Sequence, residues 1–355
     1  MDRILIVTIL AIFFISCAED KGTDSSFSSI NIGTDSTFDI ITWNIENFPK
    51  QNSTVDYLIE LIPIFDADII ALQEIESATD FQNLINSLNN YDGIVTNSAS
   101  YNINLALLYS TDLEIDSTYE IFTDDWWSFP RSPLVVHVIW NGQDIYIINN
   151  HFKCCGDGIM NLDDLGDEET RRYTASNLLK EYIDTNLPNE NVIVLGDLND
   201  ILTDAVANNV FQMIINDTEN YLFADMEIAE GSSADWSYPT WPSHLDHILI
   251  TNELFDELDN SDIQTIKIDE YLDGGWNEYD QNISDHRPVA IKFNFNSNIN
   301  GDINGDGILN IQDIILIVTM VLEGDYSSVA DMNEDGTINI LDVVLVAFII
   351  LSPEP

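Results

Sequence analysis

The chain has 355 residues, enough for a core of about 200 residues or more plus a smaller unit. Its 62 acids against 11 bases give a formal charge of −51, which repels a polyanion on average and counts against nucleic acid as a partner. The few bases therefore matter by position, and Arg131, Lys153, Arg171, Arg172 and Arg287 all lie in or beside the polar segments described below.

The chain begins MDRILIVTILAIFFISC, with one Arg and then an apolar run from Ile4 to Ile15. That run is too short for a membrane span and reads as a secretory signal over residues 1–17. Its closing FISC resembles a bacterial lipobox, which implies lipid on Cys17 and membrane attachment; an ordinary cleaved signal is the alternative. Both readings export the protein, to the cell envelope or surface or into the medium. Residues 18–37 are small, polar and acidic and read as a flexible tether.

From Phe38 to Phe295 short β-branched runs alternate with helical patterns. FDIITW, DIIALQ, NLALLY, PLVVHVIW, DIYIIN, NVIVLGD, LDHILI and VAIKF have strand composition, while VDYLIELIPIF and ETRRYTASNLLKEYIDTN have helical spacing. Many strands with few helices predict one α/β domain over 38–295, with sheets packed on each other and helices outside.

Polar residues close several of these strands. In chain order they are Asn44 in ITWNIENF, Glu74 in DIIALQEIE, His151 in INNHFK and Asp197 and Asn199 in VIVLGDLND, followed by Asp246 in SHLDHILI and Asp285 and His286 in NISDHRPVAI. These residue types suit phosphodiester hydrolysis. The substrate is an anion that repels its nucleophile, so the site needs a hard cation held by oxygen ligands and groups that move protons.

Together and in this order the segments resemble the endonuclease/exonuclease/phosphatase superfamily, the deoxyribonuclease I-like fold. The resemblance implies two packed mixed β-sheets flanked by helices in a four-layer sandwich. It also implies a Mg²⁺ or Mn²⁺ site with Glu74 as principal ligand, supported by Asn44 and Asp285. His286 would stand beside the phosphorus, oriented by Asp246. Asp197 would position or deprotonate the attacking water, Asn199 would bind a phosphate oxygen, and His151 would protonate or stabilise the departing oxygen. Which histidine is acid and which is base stays open. Arg131 in FPRSPL resembles a phosphate-side arginine, with a structural ion pair as the alternative. His244 and His247 flank Asp246 and are read as structural residues facing away from it; His137 is read as a packing residue.

After His151 the chain continues FKCCGDG. Lys153 is expected to offer a charge to the substrate backbone. Adjacent cysteines have Cα atoms about 3.8 Å apart, under the roughly 4.4 Å at which disulfides begin, yet a Cys154–Cys155 bond is expected as a rigid kink at the rim. The rival is zinc on His151, Cys154 and Cys155. An exported member with NNHFK most resembles secreted nucleases acting on DNA or RNA. The alternatives are a phosphatase or a sphingomyelinase or inositol-phosphate type of phosphoesterase, and, from another class, an inert adhesion or scaffold protein. A monomer is expected.

After a linker at 296–300, the segment 301–355 is a repeat: GDINGDGILNIQDIILIVTMVL returns 29 residues later as ADMNEDGTINILDVVLVAFIIL. Asp302, Asn304, Asp306, Asn310 and Asp313 in one copy, and Asp331, Asn333, Asp335, Asn339 and Asp342 in the other, have the spacing of Ca²⁺ loops. Two loop-helix units closed by Asp resemble a dockerin, the small all-α module that docks onto a cohesin domain, which implies bound Ca²⁺ and a cohesin-like partner. Ile311-Gln312 and Ile340-Leu341 lack the Ser/Thr pairs common in cellulosomal dockerins, which counts against a cellulosome cohesin.

Overall fold

The β-branched runs form strands that lie side by side in two six-stranded sheets of a computed structural model, which describes residues 27, 30, 32–34, 36–258, 261–295, 300–304, 309–333 and 335–351. The signal-like segment with Cys17, much of the tether and linker, and Asp306 lie outside the described residues. The first sheet holds β1 (Phe38–Phe48), β2 (Ile69–Ile75), β3 (Tyr91–Val95), β4 (Asn104–Ser110), β11 (Asp262–Thr265) and β12 (Val289–Phe293), in the order β11-β12-β1-β2-β4-β3. The second holds β5 (Glu114–Glu120), β6 (Leu134–Trp140), β7 (Gln143–His151), β8 (Asn191–Asp197), β9 (Tyr221–Phe223) and β10 (Asp246–Thr251), in the order β5-β6-β7-β8-β10-β9.

Alternation along β1 shows how the layers form. Ile41, Trp43 and Ile45 pack outward with Leu58, Leu61 and Phe65 of helix α1 (Thr54–Phe65) and with Phe81 and Leu84 of α2 (Ala78–Ser87). Phe38 and Ile40 point the other way, into the cluster between the sheets with Val136, Ile147, Ile193 and Ile248. A third cluster joins Val135, Ile148 and Val194 to Ala175, Leu179 and Ile183 of α3 (Glu168–Asn186), on the outer face of the second sheet. Three apolar interfaces make four layers, helix on sheet on sheet on helix, as expected. Central strands buried on both faces explain the near-continuous apolar runs.

Ser77 and Asp167 cap α2 and α3 by accepting from the backbone N–H of Asp80 (3.2 Å) and Thr170 (2.9 Å). Phe27, Ile30 and Ile32, which the sequence placed in the tether, are buried against the α1 side of the first sheet. Apolar residues so sparse among Ser, Thr and Asp carry no periodic signal. Beyond the linker two helices, Ile311–Glu323 and Ile340–Leu351, pack around Ile317, Ala330 and Val346. No helix among the described residues is long and apolar enough to cross a membrane.

Candidate active site

Strand direction gathers the polar residues at one end. Each sheet has one parallel pair, β1 with β2 and β7 with β8, so Asn44, Glu74, His151 and Asp197 all stand at or near C-terminal ends. Asp246 opens β10 and Asp285-His286 precede β12; both strands run antiparallel to those pairs, so their starts lie at the same end. In the second sheet the register puts His151 beside Asp197 and Asp197 beside Asp246, a row across three strands. Gly196 allows it: its φ is 136°, and a Cβ there would lie 1.9 Å from the carbonyl oxygen of Asn150. In the first sheet the β1–β2 register shifts between Asn44 and Phe48, and the β2–β4 register shifts between Leu72 and Ile75. Glu46 (φ 33°), Asn47 (51°) and Glu74 (64°) take left-handed backbone there, strain of the kind that re-aims side chains at a site.

Asp197 is the centre. Its Oδ2 accepts from Asn44 Nδ2 (2.9 Å) and lies 3.5 Å from His151 Nε2 and 3.9 Å from His286 Nε2. His286 Nδ1 donates to Asp246 Oδ2 at 2.7 Å, which turns Nε2 toward Asp197. Its backbone is also held: the carbonyl accepts from Tyr279 Oη (2.5 Å) and Trp43 Nε1 (3.2 Å), and its N–H donates to Ser284 Oγ (2.9 Å). Tyr238 lies against the ring, centroids 4.8 Å apart.

Burial opposes charging His286, but the Asp246 and Asp197 carboxylates outweigh it and raise its pKa to about 10. His151, buried and within reach of the Arg131 charge, is pushed well below the usual imidazole range. Burial raises Asp197 to about 7, against the pull of His286. An imidazolium and a neutral imidazole therefore flank one carboxyl group that titrates near neutrality.

Hard oxygen ligands lie beside them. Glu74 Oε1 accepts from Asn44 Nδ2 (3.2 Å) and Oε2 from the Asn47 N–H (3.0 Å), with Oε1 3.8 Å from His151 Nε2. Glu46 Oε2 accepts from the Asp285 N–H (3.0 Å), and Glu46 is raised by burial, with the neighbouring Asp285 charge adding to the shift. Carboxylates held this close, with few neutralising cations, fit a divalent ion that takes one or two protein ligands and keeps its waters. Asn44 Oδ1 accepts from the Glu46 N–H (3.0 Å) and keeps a second lone pair for a ligand. Asp197, Asp246 and His286 also have ligand atoms within 4.8 Å of one another, but the Nδ1–Asp246 hydrogen bond already accounts for that geometry.

Other sequence-derived residues fall around this centre. Arg131 Nη1 and Asn199 Nδ2 both donate to the carbonyl of Phe152 (each 3.3 Å), and the Asn199 N–H donates to Asp197 Oδ1 (3.0 Å). Lys153 Nζ donates to the carbonyl of Cys154 (2.7 Å) and lies 3.9 Å from Glu168. Cys154 and Cys155 are thiols with sulfurs 2.9 Å apart, where a disulfide was expected. His151 aims Nε2 at Asp197 and Glu74 rather than at these sulfurs. His244 and His247 do face away from Asp246, toward buried Asp225, at 3.0 and 2.6 Å. His137 sits between Asp116 and Asp144 and stacks on Tyr146. Glu46 and Tyr238 were missed; Glu46 could have been found, since it follows Asn44 by two residues in ITWNIENF, whereas Tyr238 lies in an irregular loop with no pattern.

In the C-terminal module the loop acids already fold inward. Asp313 accepts from the Ile303 and Asn310 N–H groups (3.0 and 2.9 Å), and Asp331 from Asp335 and Gly336 (3.1 and 2.8 Å). Asp342 Oδ2 accepts from Asn339 (2.8 Å), while its buried Oδ1 has no hydrogen-bond partner, as suits a cation ligand.

Residues 300–351 match the dockerin type I domain. Among solved structures the chain resembles TDP2 of D. rerio complexed with a single-strand DNA product (17% identity, TM-score 0.56, 73% of this chain and 100% of that one). It also resembles the human nocturnin catalytic domain with bound sulfate (16%, 0.53, 74% and 96%) and an endonuclease/exonuclease/phosphatase from Bacteroides vulgatus (15%, 0.51, 72% and 98%). No curated protein sequence matches the chain significantly. The Endonuclease/Exonuclease/phosphatase family model matches residues 41–286, the span that holds both sheets' site residues, and the chain belongs to that family of phosphoester-hydrolysing enzymes.

Proposed function

We propose that the protein is an exported, divalent-metal-dependent phosphodiesterase that hydrolyses DNA or RNA. The observation that carries the chemistry is the pair of imidazoles on either side of Asp197, one charged and one neutral, next to the Glu74 and Asp285 carboxylates. Glu74, with Asp285 and Asn44, would hold Mg²⁺ or Mn²⁺, whose chemistry there is neutralisation of charge on the phosphoryl oxygens. Asp197, with a pKa of about 7, is matched to take a proton from a water at Oδ2. His286 keeps its proton on Nε2 and offers it to a phosphoryl oxygen, held in place by Asp246. His151 acts as a neutral ring that hydrogen-bonds the departing oxygen. Asn199 and Arg131 bound the pocket through Phe152. Nucleic acid as substrate rests on the NNHFK resemblance and on the fold shared with a TDP2 complexed with single-strand DNA. The calcium module would tether the enzyme to a cohesin-like protein.

A formal charge of −51 favours a second reading, a phosphatase or a sphingomyelinase or inositol-phosphate type of phosphoesterase. One experiment separates them: the purified protein with Mg²⁺ is offered plasmid DNA, RNA, sphingomyelin and inositol phosphates in parallel. Nucleic-acid cleavage that stops in EDTA is expected. Turnover of the lipid or inositol phosphates alone establishes the second reading, and undiminished turnover in excess chelator would falsify the metal requirement.

A further inference from the structure

The loop between β7 and α3 carries a second group of acids that the chemistry above does not use. Asp157, Asp167 and Glu169 each bring a carboxylate oxygen within 4.8 Å of the others. Glu169 is the telling member. It is 2% exposed; its Oε1 accepts from the Gly158 N–H (2.6 Å) and lies 3.4 Å from Arg172 Nη2, while its Oε2 is buried with no hydrogen-bond partner. Leaving a carboxylate oxygen buried and unpaired is unfavourable in general, and a bound cation removes that penalty. Asp157 commits Oδ1 to the Ile159 N–H (3.0 Å), and Asp167 commits Oδ2 to the Asn161 and Thr170 N–H groups (3.1 and 2.9 Å), so each keeps a second oxygen for a ligand. Gly156 makes the room, since a Cβ there would lie 2.1 Å from Glu169 Oε1.

We propose that Asp157, Asp167 and Glu169 form a calcium site that fastens this loop to the start of α3. The donors are all oxygens, which excludes the soft and imidazole-seeking metals. Three carboxylates on a loop rich in backbone carbonyls suit the six to eight flexible ligands of Ca²⁺ better than the tight octahedron of Mg²⁺. The site also reaches the catalytic rim. Arg172, next to Glu169, donates through Nη1 to the carbonyls of Lys153 (2.8 Å) and Cys155 (2.7 Å) and through Nε to Asp200 (2.8 Å). Calcium on Glu169 therefore steadies the cation that holds the chain just past His151.

The test is calorimetry of the full, metal-stripped chain with CaCl₂, in excess Mg²⁺ to occupy the catalytic site. The parent should bind one calcium ion more per chain than Asp157→Asn, with half-saturation on the order of 0.1–1 mM, the range of extracellular calcium modules. Asp157 is exposed, so its replacement leaves the fold intact even where Glu169→Gln does not. Tb³⁺ gives an independent readout. The segment from Gly301 has no Trp, while Trp127 donates to the carbonyl of Leu165 in this loop (2.8 Å), so emission excited through Trp comes from the catalytic domain. That emission should fall in Asp157→Asn and persist in Glu74→Gln. An Asp157→Asn chain with the parent's calcium stoichiometry, half-saturation and Tb³⁺ emission overturns the proposal.

Discussion

His286 and His151 face the same carboxylate with Nε2 3.9 and 3.5 Å away, yet one is an imidazolium and the other neutral. The difference is the second partner, Asp246 for His286 and the Arg131 charge near His151. Replacing His286 or Asp197 with Ala should lower kcat by at least ~10², the usual scale for losing a proton-transfer group, with circular dichroism unchanged. His247 gives the contrasting case. Its Nε2 can only donate to the carbonyl of Asp200 (2.9 Å), so the Nδ1 that meets Asp225 at 2.6 Å must also be protonated: the pair is a buried imidazolium and carboxylate. His247→Ala should spare turnover per folded molecule and cost less than the ~3–5 kcal/mol of a fully broken buried pair, because His244 stays 3.0 Å from the Asp225 charge. Burial opposes the charge of both groups, but their mutual attraction wins, raising His247 and depressing Asp225. The Asp225 contribution is thus present above its unfolded pKa of about 3.9 and lost as pH falls through its depressed folded value. The His247 contribution is complete below about 6.5 and lost as pH rises through its raised folded value. The gap in Tm between the parent and Asp225→Asn should therefore be widest between about pH 4 and 6.5 and close at alkaline pH; a gap that widens there would refute the pairing.

At the scale of elements, the β7–β8 contact sets the row His151–Asp197–Asp246, and Gly196 sets the contact. Gly196→Ala puts a methyl group into the Asn150 carbonyl and forces a φ of 136° on a residue with a Cβ. A loss in Tm well beyond the ~2–4 °C that 1 kcal/mol brings in a domain of this size is expected, checked by thermal melting. The eight strands legible in the sequence are the interior ones. The four missed, β3, β5, β9 and β11, are the edges of the two sheets. Edge strands need less apolar surface: β5 reads EIDSTYE, with one Ile among polar residues, where interior β8 reads NVIVLGD. The same logic made the site legible in part. Asn44, His151 and Asp197 show because a polar residue ending an apolar run is conspicuous. Tyr238 and Asp225 do not, since their contacts are made from irregular chain across long separations. Lys153 was read as a substrate contact because its charge suits an anion; its own loop also offers that charge a carbonyl.

For the whole molecule, the calcium module and the enzyme should respond separately to metals. The segment from Gly301 has ten acids and no base, and among its described residues three apolar ones are fully buried. It should gain helical circular dichroism with Ca²⁺ and little with equal Mg²⁺, while a chain ending near Asn296 keeps full Mg²⁺-dependent turnover. Equal helicity in EDTA would count against functional calcium loops, and inactivity on truncation would merge the module with the enzyme. The sheets are also assembled unequally along the chain. The second sheet is one continuous stretch, β5 to β10, whereas the first takes β1 to β4 from the beginning and β11 and β12 from the end, with Phe38 paired to Phe293. A chain emerging N-terminus first from a ribosome or a translocation pore can finish the second sheet while the first still lacks the strand that carries Asp285 and His286 to the site. On the proposed assignment no nascent fragment that stops short of residue 286 holds the complete set of site residues, and the site closes only when the last strands dock.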